Sequence, residues 1–372
     1  MARREYSPEE LREIVSLFQV FGDISAITPY GSGHINDTFK VDLSLGGSPV
    51  SYILQRVNDS IFTRPDLMME NILRVTAHIR AKFAGQSDAT RRTLTVIPSR
   101  DGKGWARGPN GGWWRMYVFI AGARTVDLIS EAGQAHKAAR AFAEFQNHLA
   151  DLPTPRLWEI IPNFHNTRTR LEQLDTAAAA DVRGRRASVS AELAFVDAHR
   201  EEAGRVLDLM ASGDIPERIT HNDTKINNVM LDDSTGDGVA VIDLDTVMPG
   251  SALYDFGDMV RTSTAAAAED EPDLSKVFSR REYFEALVRG YLAGAKFLNE
   301  AELANLAFSG RLITFTIGIR FLADYLAGDT YFRTAYPEHN LVRCRTQFKM
   351  VESMEAQAKD YEAIVREVSA AK

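Results

Sequence analysis

At 372 residues the chain is about twice the usual domain size, so two packed lobes are expected, and its 45% hydrophobic and 25% charged residues are those of a globular protein without long disordered tracts. A formal charge of -8 gives no general attraction to a nucleic-acid backbone or an anionic membrane, and neither is expected as a partner. One cysteine, Cys344, excludes an intrachain disulfide and a cysteine-rich zinc site, and no apolar stretch approaches signal-peptide or membrane-spanning length, so a cytoplasmic setting is expected.

Ser7-Pro8-Glu9-Glu10 places a capping hydroxyl, a proline and two acids at a helix start, which predicts a helix through about Phe18. Two strands, 24–29 and 38–43, then flank Tyr30-Gly31-Ser32-Gly33-His34-Ile35-Asn36-Asp37 as a hairpin. The glycines of its tip either make a tight turn or lay backbone N–H groups over nucleotide phosphates; no Walker-type Gly-Lys-Ser/Thr occurs. A third strand, 51–57, carries Arg56 where a cation for nucleotide phosphates belongs, and a helix over 64–82 offers Glu70 to hold it by an ion pair. Strands 93–98 and 113–120 around a Gly/Pro/Asn turn complete five antiparallel strands, with Tyr117 and Phe119 assigned to the nucleotide pocket and 121–123 read as a hinge. This divides the chain into a nucleotide-binding lobe, 1–120, and a catalytic and substrate-binding lobe, 121–372.

In the second lobe a helix is expected over 132–150. The polar, alanine-rich stretch 163–200 reads as an inserted helical arm with a solvated charged face, or alternatively as a lid. Long helical periodicity runs from Phe278 to the end.

The most informative segment is His221-Asn222-Asp223-Thr224-Lys225-Ile226-Asn227-Asn228, followed after a Gly/Asp-rich turn by the apolar run Val239 to Ile242 ending at Asp243. Phosphoryl transfer asks for a carboxylate on the acceptor hydroxyl, an amide oxygen on magnesium a short loop later, and a second carboxylate at the end of a strand. Asp223, Asn228 and Asp243 meet those three needs. A literal Asp255-Phe256-Gly257 invites assigning the metal to Asp255, but no apolar strand precedes it, and Asp255 and Asp258 read as first-turn residues of a helix.

With the 221–228 loop, the 241–250 segment, Gly31 to Phe39 and Arg320-Phe321-Leu322-Ala323-Asp324-Tyr325-Leu326 in place, the chain resembles the aminoglycoside phosphotransferase and choline kinase superfamily, and within it the N-acetylhexosamine 1-kinases. The resemblance implies an α+β, two-lobed protein-kinase-like fold, with a small antiparallel β lobe and a larger, mainly helical one. It implies ATP and Mg2+ as cofactors and a sugar as substrate, phosphorylated at the anomeric hydroxyl of N-acetylglucosamine or N-acetylgalactosamine. By position, Asp223 is the catalytic carboxylate with Lys225 beside it, and Asn228 and Asp243 are magnesium ligands. Gly31, Ser32, Gly33, Arg56 and Glu70 serve the nucleotide, while His34, Asn36, Arg320 and Tyr331 face the sugar. Other acceptors, an aminoglycoside, choline, homoserine or a methylthio-sugar, remain open, as does a nucleotide-binding pseudokinase, which the intact Asp223, Asn228 and Asp243 set disfavours.

Overall fold

A computed structural model describes residues 5–31 and 35–371. The opening helix α1 (Pro8–Ser16) is capped as its sequence requires, with Ser7 Oγ accepting the Glu10 N–H at 3.1 Å. Its buried Leu11, Ile14 and Val15 lie against one face of an antiparallel sheet. The strands are β1 (Asp23–Pro29), β2 (Asp37–Leu45), β3 (Ser48–Arg56), β4 (Ala106–Arg107) and β5 (Trp113–Val118), in the order β1-β2-β3-β5-β4.

Strand alternation sorts this sheet into two faces. Phe39, Val41, Leu43, Leu54, Trp114 and Met116 pack with α1 in an outer core. Ile53, Val57 and Tyr117 belong to the main core with α2 (Pro65–Lys82), and Arg115 on the same face reaches Met69 of that helix. The expected strand 93–98 does not form. The edge of β5 is shared instead: residues 95–97 touch it through Val118 N–H to Thr95 O (2.9 Å) and Ile97 N–H to Met116 O (2.8 Å), while Trp113 and Trp114 pair with the short β4.

The second lobe is mainly helical. It contains β6 (Ala123–Arg124), α3 (Ala132–Leu149), α4 (Thr167–Ala180), α5 (Ser190–His199), α6 (Arg205–Ser212), β7 (Arg218–Thr220), β8 (Val229–Asp232), β9 (Gly238–Val241) and β10 (Met248–Gly250). Helices α7 (Ala252–Thr264), α8 (Arg281–Gly294), α9 (Glu300–Leu326), α10 (His339–Ala356) and α11 (Ala358–Ala370) follow. Two small sheets, β6-β8-β9 and β7-β10, carry the loops of the site.

Helix α9 has the length and apolar composition of a membrane span, against the sequence expectation. Yet 72% of its most apolar window is buried inside the protein, where α4, α7 and α10 cover it. The stretch 163–200 is helical, and its first helix packs into the lobe: Asn166 caps α4, and Leu171, Leu174 and Ala178 bury its apolar stripe as it packs on α9. Gly257 explains the decoy Asp-Phe-Gly. A Cβ there would lie 2.4 Å from Ser309 O, so the glycine lets α7 approach α9, and Phe256 fills the core beside Phe284 and Tyr291.

Candidate active site

The loop 221–228 leaves β7 and enters β8 through a 3-10 turn at Ile226–Asn228. Buried backbone in an irregular loop needs partners outside itself, and the first two turns of α7 supply them. Asp255 accepts the N–H groups of His221 (2.8 Å) and Asn222 (2.7 Å) together with Gln146 Nε2 (2.6 Å). Asp258 accepts the Thr224 N–H at 3.0 Å, and Thr224 Oγ1 donates to Asp255 O at 2.6 Å. Asn222 takes a left-handed φ of 65°, and its Nδ2 donates to Thr246 O at 2.9 Å. Burial raises the Asp255 carboxyl to about 7 despite these donors.

This frame sets the next residue, Asp223, at the mouth of the loop. Lys225 Nζ lies 2.8 Å from its Oδ1, and Asn228 Nδ2 donates to its carbonyl at 2.8 Å and to its Oδ2 at 3.1 Å. Burial alone would raise the Asp223 carboxyl, but the Lys225 charge first, with Arg261 behind it, outweighs burial and holds the group below the ordinary carboxylate range. His221 is buried and kept neutral. Its Nε2 donates to Ile242 O at 2.9 Å, and its Nδ1 accepts the Asp223 N–H at 3.3 Å, which fixes the tautomer.

The pairing of β8 with β9 then brings Asp243 to the same place. Val229 faces Val241, and Ile242 N–H donates to Asn228 O at 2.9 Å, so Asp243 follows directly beside Asn228. Asp243 holds a left-handed φ of 58°, a conformation that costs a non-glycine residue on the order of 1–2 kcal/mol and turns the chain sharply out of the strand. Its carboxylate makes no hydrogen bond or ion pair among the described residues. Burial, with Asp245 and Asp223 nearby, raises it above the usual range, and the cleft water that reaches it screens part of that effect. Asn228 uses Nδ2 for both of its side-chain hydrogen bonds among the described residues and leaves Oδ1 open. An amide oxygen beside a carboxylate short of positive charge fits a hard divalent cation.

A lysine-paired carboxylate on a rigid loop next to such an oxygen pair is the arrangement of a phosphoryl-transfer site, and the sequence model described as the phosphotransferase enzyme family matches residues 26–300. The chain belongs to that family. Its kinase-like fold is similar to solved structures at low identity. A spectinomycin phosphotransferase in complex with ADP and spectinomycin is 13% identical, the match covering 95% of this chain and 99% of that one with a TM-score of 0.53. An ethanolamine kinase from Plasmodium vivax matches at 13% identity, 92% and 84% coverage and a TM-score of 0.54. A choline kinase from Cryptosporidium parvum matches at 14% identity, 91% coverage of each chain and a TM-score of 0.54.

The phosphotransferase thus brings Asp223, Lys225, Asn228 and Asp243 together, but the expected ion pair between Arg56 and Glu70 does not form among the described residues. Arg56 pairs with Asp59 at 3.4 Å, and Glu70 is exposed on α2 with no partner among the described residues. The reason is strand parity. Arg56 shares the outer face with Leu54 and Trp114, and Gln55 is the β3 residue that turns toward the cleft. The inward cation is Arg115 on β5, whose Nη1 bonds Asp245, a residue the sequence reading passed over. Tyr117 is buried two positions further along the same face as Arg115, and Phe119 meets Tyr30 edge to face at 5.8 Å. Gly31 adopts a φ of 77°, and a Cβ there would meet nothing. Ser32, Gly33 and His34 lie outside the described residues.

Asn36, assigned above to the sugar, has its amide engaged on both sides. Nδ2 donates to Asp245 Oδ2 at 2.8 Å, and Oδ1 accepts the Asn58 N–H at 2.9 Å. Arg320 lies over the rings of Phe164 (5.4 Å), Tyr331 (5.7 Å) and Phe332 (5.4 Å). Tyr331 is placed by Asp324, one helical turn after Arg320, which accepts the N–H groups of Tyr331 (2.8 Å) and Phe332 (2.9 Å). Two further residues, absent from the sequence reading, join this end of the site. Arg170 donates to Phe164 O at 2.9 Å, and burial next to Arg320 lowers it to about 10. His165, buried and lowered to about 4, donates from Nε2 to Asn222 O at 3.1 Å and so ties the cluster to the catalytic loop.

Proposed function

We propose that this phosphotransferase transfers the γ-phosphoryl group of ATP, with Mg2+, to the anomeric hydroxyl of N-acetylglucosamine or N-acetylgalactosamine. The observation that carries the reading is the convergence of Asp223, Lys225, Asn228 and Asp243 on a loop whose backbone is fixed by Asp255 and Asp258. Asp223 aligns the acceptor hydroxyl and takes its proton; a loose transition state requires no stronger base, so a carboxylate held below its usual pKa suffices. Lys225 keeps that carboxylate ionised and places positive charge where the transferred group passes. Asn228 and Asp243 would hold the metal, which when bound would neutralise phosphate charge.

The acceptor end supports an uncharged sugar over a cation. Arg320 and Arg170 stand together, and no carboxylate pairs with either among the described residues. Their combined charge repels an aminoglycoside or choline, while guanidinium donors and three aromatic rings suit a polyhydroxylated ring.

The test is coupled ADP release with ATP and Mg2+ across N-acetylglucosamine, N-acetylgalactosamine, glucose, choline, homoserine and kanamycin, with Asp223→Asn as the blank. Turnover is expected on the two acetylated sugars and reduced about 10²- to 10⁴-fold in the variant. Turnover on choline or kanamycin alone would overturn the acceptor; none on any of the six would overturn the kinase.

A further inference from the structure

We propose that Arg115, Asp245 and Asn36 form a latch between the lobes that positions the metal-binding turn, with Arg115 in place of Arg56 as the small lobe's active-site cation. The inference rests on the kinase reading and adds three positioning residues to it.

Asp245 belongs to the large lobe and is 3% exposed, in the 3-10 turn Leu244–Thr246 that begins directly after Asp243. Both of its carboxylate oxygens are held from the small lobe: Oδ1 accepts from Arg115 Nη1 of β5, and Oδ2 accepts from Asn36 Nδ2 at 2.8 Å. Asn36 directly precedes β2, at the end of the hairpin segment that begins at Tyr30. One carboxylate therefore joins the central sheet, the root of the glycine hairpin and the turn that carries Asp243.

The cation of this latch is itself aimed. Arg115 is 1% exposed; its Nε donates to Gln55 Oε1 at 3.0 Å, and Gln55 Nε2 donates on to Thr38 Oγ1 at 3.0 Å. Met69 of α2 lies 4.0 Å from its Nη1, so strands β2, β3 and β5 and helix α2 all fix the guanidinium. A buried ion pair is weak glue, because desolvation cancels most of its attraction, so its place across the cleft points to a geometric task. That task is at hand two residues earlier. Asp243 has a left-handed backbone and no partner of its own among the described residues, and the Arg115 charge acts on it as well as on Asp245. Fixing Asp245 fixes the exit of the turn, and with it the direction in which the Asp243 carboxylate points.

The test uses Asn36→Ala, which removes one arm and leaves the ion pair, and Arg115→Lys, which keeps the charge and removes the fork. Mn2+ binding in the presence of ADP is read by electron paramagnetic resonance, beside the Mg2+ concentration for half-maximal turnover and the thermal midpoint. Both variants are expected to weaken Mn2+ binding at least fivefold and to raise the Mg2+ requirement by a similar factor, with the acceptor KM changed less than twofold. Mn2+ affinity within twofold of wild type in both, whatever happens to the thermal midpoint, would reduce the latch to structural support and overturn the proposal. A wild-type chain that binds no Mn2+ with ADP would overturn the kinase reading along with it.

Discussion

Asp255→Asn is nearly isosteric, and the structure predicts that it is damaging although Asp255 is buried beneath the loop with its oxygens turned onto backbone N–H groups. Asp255 Oδ2 accepts two donors, the His221 N–H and Gln146 Nε2, and Oδ1 accepts the Asn222 N–H. An asparagine keeps one acceptor oxygen. In its better orientation the oxygen serves His221 and Gln146, and the new NH2 group faces the buried Asn222 N–H. One donor loses its partner and two donors confront each other, which costs about 1–3 kcal/mol. With an unfolding entropy of about 2.1 cal/mol/K per residue, 2 kcal/mol lowers the thermal midpoint of a chain this long by about 2–3 °C. The catalytic loss is larger than that shift suggests, because Asn222 immediately precedes Asp223, and misplacing a reacting group by about 1 Å costs on the order of 10²-fold in rate. Differential scanning fluorimetry and a Mg2+ titration of turnover would measure both. The expected result is lower kcat with an unchanged Mg2+ half-saturation. Wild-type kcat would refute the view that α7 holds the catalytic loop, and a sharply raised Mg2+ requirement would return the metal to the Asp255-Phe256-Gly257 segment.

With the acceptor assignment proposed above, Arg320→Ala should raise the acceptor KM more than tenfold and leave the KM for ATP within about twofold, through loss of the guanidinium seated on Phe164, Tyr331 and Phe332; equal effects on both substrates would displace it from that role. Arg56→Ala should change the KM for ATP less than threefold because the side chain lies on the outer face of the sheet, and a tenfold rise would restore the expected phosphate contact. Acid stability should depend on His165. Burial lowers its pKa to about 4 from an ordinary 6.5, so below pH 6.5 the unfolded chain takes up a proton that the folded one refuses, and stability falls with pH through that window by up to about 3 kcal/mol. The raised Asp255 carboxyl acts with the opposite sign, so the informative quantity is the difference between wild type and His165→Gln in urea unfolding from pH 7 to pH 4. The variant should lose the His165 part of the slope, and parallel profiles would refute the assignment.

The parts of the site that could be read from the sequence are those fixed locally. From His221 to Asn228 the chain makes one loop, β8 and β9 are joined by a Gly/Asp turn, and the loop, hairpin and strand end place Asp223, Asn228 and Asp243 with no distant information. The Asp-Phe-Gly segment was separable for the same reason, since Ser251 caps α7 and Asp255 sits in its first turn, with Asp258 one turn further on. The inward-facing cation was not separable. Around Tyr52-Ile53-Leu54-Gln55-Arg56-Val57 both parities carry apolar residues, so alternation does not say which face is inward, and a one-residue change of parity exchanges Gln55 for Arg56. The α1 core decides it by taking Leu54, a contact between segments about forty residues apart in the chain. Asp245 was hidden because its partners, Arg115 and Asn36, come from the other lobe. Arg170 and His165 were hidden because they gain their role only when α4 packs on α9, and the alanines of α4 blur the apolar stripe that would announce that packing. In this protein local sequence places Asp223, Asn228 and Asp243 together, and tertiary packing decides that Arg115, Arg170 and His165 join them.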